Sequence, residues 1–173
     1  MSKNLEGLVH VYTGDGKGKT TASVGLGIRA SLNFLDVIMI KFIKGNKSGE
    51  DIVNKYVPNF EVYSYGTGEF ITGKPGKDDE DEIKKAWDHA EKAIKKYDMV
   101  ILDEVIYAVQ MGLIKEHDLI DFIDKKPKEV ELVLTGGIVA SKKIRDKADY
   151  VSIIMCAKHP YKKGIPARKG IEY

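Results

Sequence analysis

The string TGDGKGKT at Thr13–Thr20 lies between a β-forming apolar run, LVHVY, and a helix-compatible stretch, TASVGLGIRASL. Strand, glycine-rich turn and helix in that order are the setting of a phosphate-binding loop. Gly14, Gly16 and Gly18 let the backbone curl so that successive N–H groups face one concavity and donate to phosphate oxygens. Lys19 adds a point charge, and the Thr20 hydroxyl can ligate a magnesium ion held by the same phosphates. The helix N-terminus contributes its positive dipole end. The standard pattern opens on a glycine where this chain has Thr13, and Gly14, one residue later, is placed to compensate.

A loop of this kind belongs to a parallel sheet, and the rest of the chain reads that way. Short β-rich runs at 8–12, 37–42, 60–65, 99–102, 131–134 and 150–155 alternate with segments of helical period, which predicts one α/β domain over residues 1–173, mostly parallel and covered by helices on both faces. Several runs lack polar alternation, as strands covered on both sides do. The clearest helix spans about 79–97, where Ile83, Ala86, Trp87, Ala90, Ile94 and Tyr97 recur at intervals of three and four. Its acidic start, Asp79–Glu82, reads as a first turn favoured by the helix dipole and not as a calcium patch. Residues 66–77, GTGEFITGKPGK, read as a loop with much freedom. Residues 158–173 carry five cations against Glu172 alone, which makes this end either floppy or a lid over an anion.

At 173 residues the chain is long enough for one core without staples. A net charge of 28 − 26 = +2 is too small to drive binding to nucleic acid or anionic membrane by bulk attraction. One cysteine, Cys156, excludes a disulfide framework and fits a reducing, cytoplasmic compartment. It follows an apolar strand and reads as an inert buried thiol. Leu35–Ile43, the longest apolar run, is interrupted by Asp36 and Lys41, so no membrane span is expected.

A second acidic signal fits the first. The apolar strand Met99–Leu102 ends in Asp103 and Glu104, at the strand end where open α/β sheets bind ligands, and either carboxylate could hold magnesium directly or through water. Gly25, Gly27 and Ala30 match a dinucleotide fingerprint but fall inside a helix, where the glycines imply close packing against the sheet. These residues alone describe an ATP- or GTP-binding protein using magnesium. A small-molecule kinase or NTPase, or a nucleotide-dependent regulator without turnover, satisfies them equally.

Over nearly its whole length the sequence resembles the P-loop ATP:corrinoid adenosyltransferases. The resemblance rests on TGDGKGKTTA at 13–22, GIRA at 27–30, KFIKG at 41–45, GTG at 66–68, ILDE at 101–104, LVLTG at 132–136, AD at 148–149 and KHPYKKGIPARKGIEY at 158–173. It implies a single-domain, RecA-like P-loop NTPase fold. The implied activity moves the 5′-deoxyadenosyl group of ATP to the Co(I) of cob(I)alamin or a precursor and releases triphosphate. Carried over by position, Gly14, Asp15, Gly16, Lys17, Gly18, Lys19, Thr20 and Thr21 hold the triphosphate, and Lys19 stabilises its departure. Arg29 supports the nucleotide, while Thr20, Asp103 and Glu104 hold Mg2+ or Mn2+. Phe70 takes the corrinoid-facing role, and Lys158 and His159 head a C-terminal lid over residues 158–173. A homodimer and a flavoprotein reductant are the family expectations. Three positions depart from the family: Glu69, Phe70, Ile71 stand where some members have Phe-Thr-Trp, Gly137 stands where many have arginine, and Ile153 stands for a common glutamate.

Overall fold

The computed structural model describes residues 6–43, 45, 48–68, 71 and 73–173. Six strands form one sheet in the order β3-β2-β4-β5-β1-β6: β1 (Val9–Thr13), β2 (Val37–Lys41), β3 (Phe60–Ser64), β4 (Met99–Asp103), β5 (Glu131–Thr135) and β6 (Tyr150–Ile153). Every neighbouring pair is parallel. The central strands β2 and β4 are buried at every position, which is why VIMIK and MVILD show no polar alternation. The expected strands β4 and β5 each run one residue further and so carry Asp103 and Thr135 to the end of the sheet.

Two unequal layers cover the sheet. On one face, α2 (Lys77–Ala93), α3 (Val105–Gln110), α4 (Glu116–Asp124) and α5 (Lys142–Asp146) bury Ile83, Ala86, Ala90, Leu119, Phe122 and Ile144 against Ile38, Ile40, Val100, Leu102 and Leu132. Trp87 joins this core with its ring 5.3 Å from that of Phe122, so it packs and does not offer a stacking platform. On the other face, α1 (Lys19–Ser31) and the 3-10 helix Gly49–Lys55 cover Val37, Met39, Met99, Ile101 and Val133.

Gly27 explains how close α1 comes: a Cβ there would lie 2.7 Å from the Phe60 ring. Gly25 does not share that role, because nothing lies within 4 Å of its Cβ position. The helix α2 starts two residues before the expected Asp79. Asp79 reaches back to accept from the Gly76 N–H at 2.9 Å, which makes it the third helical residue and not the first. It also accepts from the Thr67 hydroxyl at 3.1 Å, so part of the acidic turn ties down the GTG loop and is not merely solvated.

The last strand corrects another expectation. All four residues of β6 are exposed, with Tyr150 and Ile153 about half so, although the run reads as apolar. It is an edge strand beyond the reach of the helical layers. Cys156, just after it, is half-buried and not fully enclosed.

Candidate functional site

The turn after β1 follows from what a side chain would strike. Gly14 has φ +115°, and a Cβ there would lie 2.2 Å from the Ile154 carbonyl oxygen. Only glycine fits at this position. Around it the loop is stitched to the segment after β6: Ile154 N–H donates to Thr13 O, Gly16 N–H to Ile154 O, both at 2.8 Å, and Cys156 N–H to the Asp15 carboxylate at 3.0 Å. The Gly16 N–H therefore serves the scaffold, whereas the expectation had successive N–H groups facing the concavity. Gly18, with φ 123°, opens α1. Lys19 bends back so that its ammonium donates to the carbonyls of Gly14 at 2.7 Å and Gly16 at 3.0 Å.

Thr13 is wholly buried and acts as a bracket. Its hydroxyl donates to Gly136 O at 3.0 Å and accepts from Ala140 N–H at 2.9 Å, which ties the phosphate loop to the loop after β5. The absent first glycine is thus a strand residue with work of its own.

The two acids after β4 separate. Asp103 is wholly buried, and its Oδ1 accepts from the Thr20 hydroxyl at 2.9 Å and the Thr135 hydroxyl at 2.7 Å. Glu104 adopts a left-handed conformation, φ 62°, with its N–H donating to Thr135 Oγ1 at 3.1 Å. Gly136 makes room for it, since a Cβ there would lie 2.7 Å from Glu104 Oε2. Thr135 is a site residue that pattern reading missed. Its signal was present, a threonine ending an apolar strand beside a glycine, but nothing in one sequence says which acid it would face. Thr20, Asp103 and Glu104 offer hard oxygen donors that suit Mg2+, an ion that takes most of its remaining ligands from phosphates and water. Among the described residues no cluster of three acids, histidines or cysteines would hold a metal by itself.

Two cavities meet at this point. The larger, about 600 Å³, has Gly16–Thr21 on one side, Val24 and Ile28 of α1 behind, and Glu50, Ile52 and Tyr56 opposite. Ile171 and Tyr173 close it from the chain's end. The smaller, about 380 Å³, is lined by Gly14, Asp15, Ile43, Ile71, Tyr107 and Ile138. Lys19 and Glu104 line both. A third cavity of about 430 Å³, walled by Asp36, Asn54, Phe60, Glu61, Lys96 and Tyr97, has no phosphate-loop residue.

The basic tail carries a 3-10 turn at Pro160–Lys163 and lies against the phosphate loop. Lys158, His159 and Arg168 share a small cavity of about 230 Å³ with Lys17 and Glu172. Glu172 is the clasp: it accepts from Arg168 Nε at 3.2 Å and Nη2 at 3.1 Å, and from Lys17 at 2.8 Å. The Arg168 hydrogen bond first, then that of Lys17, holds its carboxyl down at about 2. Lys17, Lys158 and His159 are thus brought beside one another. Thr21 is exposed at the mouth of the larger cavity. Arg29 lies exposed further along α1 and is not among the described residues lining the cavities. Phe70 lies outside the described residues.

Comparison with known proteins is consistent with this geometry. The profile of the family described as "ATP:corrinoid adenosyltransferase BtuR/CobO/CobP" matches residues 5–173. The chain is 30% identical to the corrinoid adenosyltransferase of Escherichia coli (strain K12) over 177 residues, covering 100% of this chain and 89% of that protein. It is 31% identical to corrinoid adenosyltransferase CobA of Salmonella typhimurium, with the same coverage. Against a corrinoid adenosyltransferase of Sinorhizobium sp. it is 32% identical, covering 97% and 81%. Among solved structures, the cytoplasmic domain of EssC matches with TM-score 0.55 and 16% identity, over 97% of this chain and 37% of that one, a likeness of fold.

Proposed function

Since this chain belongs to the ATP:corrinoid adenosyltransferase family BtuR/CobO/CobP, we propose that its two cavities divide the substrates, ATP in the larger and the corrinoid macrocycle over the smaller. The enzyme transfers the adenosyl group of ATP to a corrinoid. The nucleophile is the Co(I) of the substrate, which attacks the ribose 5′ carbon while triphosphate leaves. Because attack is at carbon, the protein's task is to stabilise charge accumulating on the leaving polyphosphate. Lys19 and the amides at the start of α1 serve that charge directly, and Lys17 adds to it once its partner Glu172 yields.

Thr20, Glu104 and Asp103 are the residues that would hold Mg2+ or Mn2+, which supplies further charge neutralisation on the triphosphate. In this reading Glu104, which lines both cavities, meets the ion, and buried Asp103 aims the Thr20 hydroxyl. On the corrinoid side Tyr107 and Ile138, exposed at 39% and 68%, offer the macrocycle an apolar surface. Residues 158–173 act as a lid whose tip, Ile171 to Tyr173, closes over the nucleoside. The exposed edge β6 is a face on which a homodimer could form, and in this reading an external donor such as a cytoplasmic flavoprotein supplies the Co(I).

The observation that carries this reading is the shared wall, Lys19 and Glu104, between two adjoining cavities. Chemically reduced cob(I)alamin mixed with ATP and the protein should give a light-sensitive alkylcobalt spectrum and inorganic triphosphate. ADP and phosphate with an unchanged corrinoid spectrum would instead favour a kinase or NTPase.

A further inference from the structure

Lys41 ends the apolar strand β2 with its side chain wholly buried. Burying an ammonium is costly unless it is paired and hydrogen-bonded, and an apolar residue could fill the same space. Its partners are therefore informative. The ammonium donates to Ser48 Oγ and to Asp51 Oδ1 at 3.0 Å, and lies 3.2 Å from Glu50 Oε1. All three belong to one short segment, the start of the 3-10 helix Gly49–Lys55 that walls the larger cavity opposite the phosphate loop.

The two carboxylates have different surroundings. Asp51 is occupied by the scaffold, accepting from Ser48 N–H and from the Ser64 hydroxyl, both at 2.7 Å. Glu50 is held too, by its own N–H, by Ser48 and by Lys41, but unlike Asp51 it lines the cavity. Burial pushes both carboxyls up, but hydrogen bonds and Lys41 outweigh it and leave both below their ordinary values. On the cavity side this segment thus presents a carboxylate held in place, an acceptor that suits the hydrogen-bond donors of a nucleoside.

We propose that Lys41 is a positioning residue acting through Glu50: it anchors the 3-10 helix so that the Glu50 carboxylate accepts hydrogen bonds from the nucleoside end of ATP, which makes the cleft favour a nucleoside triphosphate over bare polyphosphate. The inference rests on the nucleotide occupying the larger cavity.

The test is equilibrium binding of Mg-ATP and of Mg-tripolyphosphate, without corrinoid, to the full chain. Glu50→Gln should weaken ATP about tenfold or more, the scale of a lost hydrogen bond to a charged group, and leave tripolyphosphate within about twofold. Lys41→Met should reproduce that selective loss, and the double variant should be no weaker than either single one. A Glu50→Gln protein that binds ATP like the parent, or loses both ligands equally, overturns the proposal even if Lys41→Met fails to fold. Lys19→Ala separates the underlying reading: if it leaves both ligands bound as before, the nucleotide is not on the phosphate loop and the premise has failed.

Discussion

Replacing Thr13 by valine keeps the shape of the side chain and removes the hydroxyl. The Gly136 carbonyl and the Ala140 N–H, both buried, then lose the partner they share. A buried group left unsatisfied costs about 1–3 kcal/mol. Two such groups give about 2–6 kcal/mol, and because a carbonyl tolerates the loss of one acceptor contact better than an N–H does, about 3 kcal/mol is expected. For a domain of this size each kcal/mol shifts Tm by about 2–4 °C, so the variant should melt about 6–12 °C lower. In urea the midpoint should fall with an unchanged slope, since the unfolded surface is the same. Thr13→Gly, which restores the standard motif, should be less stable still, because glycine adds the backbone entropy cost. A Thr13→Val protein within 0.5 °C of the parent would refute the bracket role and return this position to an incidental departure.

Other perturbations separate neighbouring roles. Gly25→Ala, in open space within an exposed helix interior, should stabilise by up to about 1 kcal/mol, whereas Gly27→Ala drives a methyl onto the Phe60 ring and should destabilise by about 1–3 kcal/mol. Urea denaturation of the pair checks the opposite signs. Lys19→Ala should cost about 3 kcal/mol in kcat, the scale of a lost charge-stabilising donor, as read from single-turnover adenosylation. Near-normal turnover contradicts that role. His89 is held below its ordinary value by burial and then by Lys92, and its Nδ1 pairs with the Tyr65 hydroxyl at 2.9 Å. With the folded value lower, the unfolded chain takes up the proton first, so stability is lost as pH falls from about 6.5 towards the folded value. His89→Gln should remove that part of the Tm slope between pH 7.5 and 5.5.

The phosphate loop and the central strands were legible because their signals are local: glycine spacing, an apolar run, a threonine after a lysine. The turn at Gly14 could be read from the glycine itself, whose φ and closeness to Ile154 admit no side chain. What stayed hidden depends on residues distant in sequence. Thr135 meets Asp103 only because β4 and β5 are neighbours in register, and Lys41 meets Glu50 and Asp51 only because the intervening loop returns to the end of β2. The exposure of β6 was equally unreadable, since an apolar run looks the same at the centre of a sheet and at its edge, and only topology decides which face is covered. Glu172 was noticed only as the lone acid in a basic tail. Its pairing with Lys17 spans the whole chain.

The division of two substrates across Lys19 and Glu104 is tested most directly by a crystal structure with ATP and a non-reactive Co(II) corrinoid bound. The account predicts triphosphate on Gly16–Thr21, the ribose 5′ carbon open towards Tyr107 and Ile138, and the macrocycle face-on to that carbon. A 5′ carbon turned beneath Ile171 and Tyr173, with no path for a flat ring to reach it, would contradict it.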